Sequence, residues 1–313
     1  MKTVLAKTIV TNSKNYFWFG TKYNMNIYRG CSHGCIYCDS RSDCYHVENF
    51  DEVRAKEDSL RIIRDDLRRK KVKGVIGTGA MSDPYNPIEK EELLTRHALE
   101  LINAYGFGVA LATKSDLVTR DIDIFKEIKQ YSPVLVKMTI TTVDDELCKI
   151  IEPNVCVSSR RFAALKQLSD AGIDTCILLM PNLPWITDSD ENIIELVRRA
   201  HECGVKYIYS GFGVTLRMNQ RDYYYEKLDK YFPGLKEKYQ RKYRDNYSCA
   251  IPNVKTKYKM FVNECNKYGI IIDMKKIIYD YQLSYKKYNY QYLMNLNQFD
   301  RLCYKIRLYG SLY

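Results

Sequence analysis

Tyr28-Arg29-Gly30-Cys31-Ser32-His33-Gly34-Cys35-Ile36-Tyr37-Cys38-Asp39-Ser40 carries three thiols within eight residues, at C-x3-C-x2-C spacing, with an aromatic residue just before the last. Three thiolates this close converge on one metal centre only if the backbone turns round it, and Gly30 and Gly34 supply that freedom. Thiolates are soft ligands that select iron–sulfur clusters, zinc or copper(I). An electron-transfer cubane usually takes four cysteines. A site one ligand short keeps a coordination position open, which marks a catalytic rather than a structural centre. Two other readings use the same residues. A zinc site needs a fourth ligand from Cys44, His33 or His46, and zinc modules usually present two paired half-sites, of which the second is missing here. Cys35 and Cys38 also form a C-x-x-C redox pair, with a third cysteine attached.

Working outward, the apolar runs alternate with helical patterns. Asn24–Tyr28, Val75–Thr78, Gly108–Thr113, Leu135–Thr141, Thr175–Met180 and Tyr207–Ser210 read as six strands. Helices are expected between them over residues 89–104, 120–129, 159–170 and 191–202. Such alternation predicts an α/β fold with a parallel sheet, and six units suit a partial (β/α)6 barrel. In such barrels chemistry collects at the carboxyl ends of the strands. Polar residues stand at those ends: Ser82 and Asp83, Lys114 and Ser115, Thr139 and Thr141, and the Met180-Pro181 turn.

Three further segments extend the cysteine signature: Gly77-Thr-Gly-Ala-Met-Ser-Asp-Pro-Tyr-Asn-Pro-Ile-Glu89, Ala112-Thr-Lys-Ser115 and Leu178-Leu-Met-Pro-Asn-Leu-Pro184. With them, residues of about 20–213 resemble the radical S-adenosylmethionine (SAM) superfamily, in its spore photoproduct lyase-related branch. The resemblance implies one 4Fe–4S cluster on Cys31, Cys35 and Cys38, with SAM chelating the fourth iron. An electron from an external flavodoxin- or ferredoxin-like reductant then cleaves SAM, and the 5′-deoxyadenosyl radical released abstracts hydrogen from substrate. It also places Ser82 and Asp83 by the methionine amino group and Lys114 on the carboxylate. Thr139 and Thr141, on one strand face by period-two alternation, fall by the ribose, and Tyr37 and the Leu179-Met180 strand end on the adenine side. The chain departs from the branch in one respect. Spore photoproduct lyases carry a hydrogen-donor cysteine just before the Ser-Asp pair, where this chain has Gly79-Ala80-Met81. That points away from thymine-dimer repair and leaves Tyr85 as a nearby substitute donor.

The net charge of +11 is unevenly placed: residues 214–313 hold 20 Lys and Arg against 9 Asp and Glu, and 18 of the 28 tyrosines. A boundary near Gly213 therefore separates a radical SAM partial-barrel domain (1–213) from a basic, Tyr-rich and mostly helical C-terminal region (214–313). Basic and aromatic residues interleave at Lys236–Arg244 and Tyr279–Tyr292, a pattern that can follow a phosphate backbone and stack bases. A metal-stabilised nucleic-acid-binding module without catalysis is thus the alternative function. Cys249, Cys265 and Cys303 are too scattered for a second cluster. No stretch reaches the ~18 apolar residues of a membrane span. Eleven cysteines in a chain of this size without a signal-like start read as reduced cytoplasmic thiols. Protein prepared without air is expected to be brown, with visible absorbance lost in Cys35→Ala. A colourless, zinc-loaded wild-type protein would refute the cluster.

Overall fold

The computed structural model describes residues 2–14 and 16–292. Cys303 and the last stretch of the basic region, 293–313, lie outside the described residues.

The central sheet has seven strands in the order β10-β9-β8-β7-β6-β3-β2. These are β2 (Val10–Asn12), β3 (Thr21–Met25), β6 (Val75–Thr78), β7 (Gly108–Thr113), β8 (Val134–Thr139), β9 (Asp174–Leu179) and β10 (Tyr207–Ser210). Strands β3 and β6 to β10 pair in parallel, and β2 joins antiparallel at one edge. The fold is therefore α/β with an open sheet whose edges are β2 and β10. A small second sheet combines β1 (Thr3–Val4), β4 (Tyr28–Arg29) and β5 (Arg54–Lys56).

Period-two alternation divides the strand residues between two faces. Ile76, Val109, Leu111, Val136, Met138, Ile177, Leu179 and Ile208 face a helical layer. That layer is α1 (Ser59–Arg69), α2 (Glu89–Glu92) with α3 (Leu94–Ala104), α4 (Ile122–Lys129), α5 (Asp145–Ile151) with α6 (Ser158–Asp170), and α7 (Asp190–Glu202). Val75, Ala110, Leu135, Cys176, Leu178 and Tyr207 form the opposite, inner face, covered by Phe19, Ile277 and Tyr281. Because both faces are covered, the strands read as unbroken apolar runs.

Element boundaries differ from the sequence reading where side chains capture backbone groups. The first strand ends at Met25, and Tyr28 belongs to the small sheet. The helix expected over 89–104 breaks at Leu93, whose φ is 54°. There the Glu89 carboxylate accepts from the Thr95 amide at 2.8 Å and so caps α3 in place of a regular turn. Residues 116–121 form a 3-10 turn ahead of α4. Strand β8 stops at Thr139, whose carbonyl is taken by Arg161 at 2.9 Å. Asp144 caps α5, accepting from the amides of Glu146 (2.8 Å) and Leu147 (3.1 Å).

After residue 213 come β11 (Gly213–Thr215), α8 (Gln220–Tyr231), α9 (Leu235–Tyr243), β12 (Ser248–Ala250), α10 (Val254–Lys267) and α11 (Met274–Tyr292). Phe261 and Cys265 of α10 enter the outer-face core, and Ile277 and Tyr281 of α11 cover the inner face. Phe261→Ala, at a fully buried position, is expected to cost about 3–5 kcal/mol. In urea denaturation it should shift one transition of the whole chain; a separate, early transition for the C-terminal helices would contradict this shared core.

Candidate active site at the cysteine loop

The loop Gly30–Cys38 runs across the carboxyl end of the sheet and is held from three sides. Gly30 has φ of 79°, and a Cβ there would lie 2.3 Å from the Glu52 carbonyl and 2.7 Å from that of Phe50, so only glycine fits. From the segment after β6, the Ser82 hydroxyl donates to the Gly30 carbonyl at 2.5 Å, and the Asn86 side-chain oxygen accepts from the Ser32 amide at 3.4 Å. From the end of α5, the Ile151 carbonyl accepts from the Ile36 amide at 3.0 Å, and the Asn154 side chain donates to the Ser32 carbonyl at 2.9 Å. From beyond residue 213, Gln220 donates to the Tyr37 carbonyl at 3.2 Å and Arg217 pairs with Asp39 at 3.0 Å.

Cys31 and Cys35 are buried and Cys38 half-buried. Burial, then Asp83, pushes the Cys31 thiol up to about 11. Burial also holds Cys35 well above its ordinary value, with Cys38 and Cys31 adding to the rise, so the three sulfurs lie within one another's field. Such thiols ionise when a cation offsets the burial, as metal binding requires. Among the described residues no three Cys, His, Asp or Glu side chains are drawn together as for a single metal ion. Cys44 and His46 are exposed, and His33 stands 3.5 Å from Asp83. A cubane offers each thiolate a separate iron corner, so its sulfurs stand further apart than the four of a zinc site. Three separate thiols beside the carboxyl end of the sheet are the donor chemistry that an iron–sulfur cluster takes.

The structure gathers most of the expected residues around this loop. The half-buried Lys114 points its ammonium at the site, 5.8 Å from the centre of the Tyr37 ring. Burial acts to lower its pKa, but Cys35, Glu152, Cys38 and Asp83 together raise it above the ordinary lysine value. No hydrogen bond or ion pair to that ammonium occurs among the described residues. Asp83 is occupied by the protein's own donors: the Tyr85 amide (2.9 Å), the Thr113 hydroxyl (2.6 Å) and the Lys114 amide (2.8 Å). It thereby fixes the end of β7, and Ser82 fixes the loop. Thr139 sits at the end of β8, and Thr141 beyond it has a buried hydroxyl without a partner. Tyr85 lies apart from these. Its ring is in the outer core and its hydroxyl donates to Asp121 at 2.9 Å. Trp185 is half-buried against Tyr239, with Lys238 4.4 Å from its ring centre.

Two residues escaped the sequence reading. Glu152 and Arg161 form a fully buried ion pair at 2.5 Å. Glu152 also accepts from the Tyr37 hydroxyl, and Arg161 donates to the Cys156 carbonyl at 2.8 Å. Burial would raise the Glu152 carboxyl, but Arg161 and then Lys114 hold it below the usual carboxylate range. One signal was present: Arg161 shares the buried helical stripe of Leu165 and Leu168, where a charge demands a partner.

Residues 25–197 match the radical SAM superfamily, a span that contains the cysteine loop, Ser82, Asp83, Lys114 and the Glu152–Arg161 pair. The chain belongs to that superfamily. It is 29% identical over 248 residues to an uncharacterized protein of Mycobacterium tuberculosis, covering 77% of this chain and 73% of the relative. An uncharacterized protein of Methanocaldococcus jannaschii is 36% identical over 171 residues, 54% of this chain and 63% of that one. The fold is similar to that of spore photoproduct lyase complexed with dinucleoside spore photoproduct, with a TM-score of 0.60 and 16% identity over 85% of this chain and 78% of that one. A spore photoproduct lyase variant with bound AdoMet and the same dinucleoside has a TM-score of 0.58 and 15% identity, over 83% and 76%. Radical SAM enzymes use a 4Fe–4S cluster and SAM and draw on an external reductant, so this chain is an enzyme of that chemistry. No helix among the described residues is long and apolar enough to cross a membrane.

In this radical SAM protein the Glu152–Arg161 pair holds the Tyr37 hydroxyl. Arg161→Met strands a buried carboxylate and is expected to cost about 3–5 kcal/mol in chemical denaturation. The double variant with Glu152→Gln should regain much of that loss; equal losses in both would rule out the pair as the cause.

Proposed function

We propose that Cys31, Cys35 and Cys38 hold the 4Fe–4S cluster and that the open sheet is a partial (β/α)6 barrel, with residues 214–313 as a mostly helical region closing it. One juxtaposition carries the reading. The ammonium of Lys114, raised in pKa and without a direct partner among the described residues, faces Cys35 and Cys38. A fixed point charge beside two of the three thiols suits a ligand that brings its own carboxylate to the metal centre, as SAM does. When bound, the cluster and SAM supply a 5′-deoxyadenosyl radical that takes hydrogen from substrate.

The chain's own residues then bind and orient. Lys114 takes the methionine carboxylate. Ser82 holds the Gly30 carbonyl, and so the loop, in place. Asp83 acts as a positioning residue through the Thr113 hydroxyl and the Lys114 amide. Thr139 and Thr141 offer hydroxyls on the ribose side, and the unpartnered Thr141 hydroxyl supports that role. Tyr37, fixed by Glu152 and Gln220, walls the adenine side.

The substrate is proposed to be a nucleic acid or one of its components. Lys238 and Lys242 flank Trp185 at 4.4 and 5.1 Å from its ring centre, a basic and aromatic surface of the kind that stacks bases. Electrons come from a flavodoxin- or ferredoxin-like donor, and the protein works in the cytoplasm.

Anaerobically reconstituted protein with dithionite and SAM is expected to release 5′-deoxyadenosine, detected by chromatography. Lys114→Met should raise the KM for SAM at least ~10-fold, since a hydrogen bond to a charged group is worth roughly 1.5–3 kcal/mol. Intact SAM in the presence of a reduced, iron-loaded protein would overturn the reading.

A further inference from the structure

Lys137 is a charge where the sheet has no visible use for one. On the inner face of β8 it alternates with Val136 and Met138, which face the helices, and is flanked in register by Ala112 on β7 and Cys176 on β9. It is only 2% exposed. Its ammonium lies 4.4 Å from the centre of the Phe19 ring, and no hydrogen bond or ion pair reaches it among the described residues. The cluster covering this face is Phe19, Val75, Ala110, Leu135, Cys176, Leu178, Tyr207, Ile277 and Tyr281. Among the described residues no carboxylate acts on it, and those on the neighbouring elements are held by other groups. Asp174 on β9 is held by Lys129 (2.7 Å) and Lys206 (2.5 Å), and Asp280 of α11 accepts from the Tyr207 hydroxyl at 2.7 Å. Burial pulls the Lys137 amine down to about 8, with Cys176 opposing.

Lysine is almost never fully buried without a partner, and an unpaired buried charge costs several kcal/mol. Leu or Met would fill this position at no such cost. A ring face attracts a cation but leaves its N–H donors unused. Further along, past the ends of β8 and β9, stand the Thr141 hydroxyl and the Asn182 side-chain NH2, both buried and both without a partner. All these groups can donate hydrogen bonds, and only Lys137 carries a charge, which is positive.

We propose that Lys137 anchors an oxyanion of the substrate, a phosphate or a carboxylate, on the inner face of the sheet. This rests on the proposed function, in which SAM sits at the carboxyl ends of these strands and the substrate is a nucleic acid or one of its components and so carries an anion. The anion supplies the counter-charge that the fold withholds, so the site is complete only when substrate is bound. The cost of the buried ammonium in the free protein is then the cost of selecting an anionic partner.

The test uses thermal melting of the full-length, anaerobically reconstituted protein with SAM present, so that the Lys114 site is filled. Potassium phosphate and potassium acetate are titrated separately against chloride at constant ionic strength. The wild-type Tm is expected to rise by about 4 °C with the preferred anion, and the arm that responds identifies phosphate or carboxylate. Lys137→Met should lose the response and, without anion, melt above the wild type. Cys176→Asp, which puts a carboxylate in register opposite Lys137, should also lose the response and decides the matter if Lys137→Met does not fold. No response to either anion, or equal shifts in wild type and variants, overturns the proposal. Release of 5′-deoxyadenosine by the same wild-type preparation tests the enzyme reading separately. Its absence would strike that reading while the melting data still decide the oxyanion site.

Discussion

The carboxyl end of the sheet is organised around buried charge that must be balanced. Glu152 is buried and sits between Arg161, the Tyr37 hydroxyl and the field of Lys114. Remove Arg161 and a carboxylate is left unpaired in a low-dielectric interior, where water cannot compensate. The cysteine loop hangs on this arrangement. Tyr37 belongs to the loop and reaches Glu152, while the adjoining Ile151 carbonyl and the Asn154 side chain grip the loop backbone. The thiols of the loop are thus placed beside a cation, Lys114, that favours their ionisation, on a scaffold whose own charges are settled.

The inner and outer faces of the sheet solve different problems. The outer face buries Val, Ile, Leu and Met against helices and supplies most of the apolar core. The inner face is also covered, but its cover comes from the Phe19 segment and from α11. Among the described residues it carries the buried Lys137, and beyond its strand ends lie polar atoms without partners. A face built only for stability would not contain them, because each costs more than the apolar residue that would fit there. The same asymmetry separates scaffold from site in parallel α/β proteins generally, with chemistry gathered at one end of the strands.

The basic region after residue 213 is distinct in composition and joined in packing. Its net positive charge follows from residue counts, but its apolar residues Phe261, Cys265, Ile277 and Tyr281 enter cores shared with the sheet. Arg217 and Gln220 touch the cysteine loop itself. A shift in surface charge marks what a segment offers to solvent and to partners. It says little about where the core ends, because core residues are a small and ordinary-looking fraction of any basic helix.

The sequence by itself determined the α/β alternation, the cysteine loop and the residues at strand ends, because each is written in local spacing. A three-thiol turn needs its glycines within a few positions, and a buried strand needs only its own run of apolar residues. Boundaries slipped wherever a distant side chain claimed a backbone group, as Glu89 does at Thr95 and Arg161 at Thr139. Only the tertiary structure decided what the ionisable groups are for. Tyr37 meets Glu152 across 115 positions of chain, and Asp83 turns out to hold the end of β7 rather than stand free. Lys137 is revealed as unpaired by the register that places Ala112 and Cys176 beside it. Charges act through space, so their roles follow from strand order and face, which no local pattern contains.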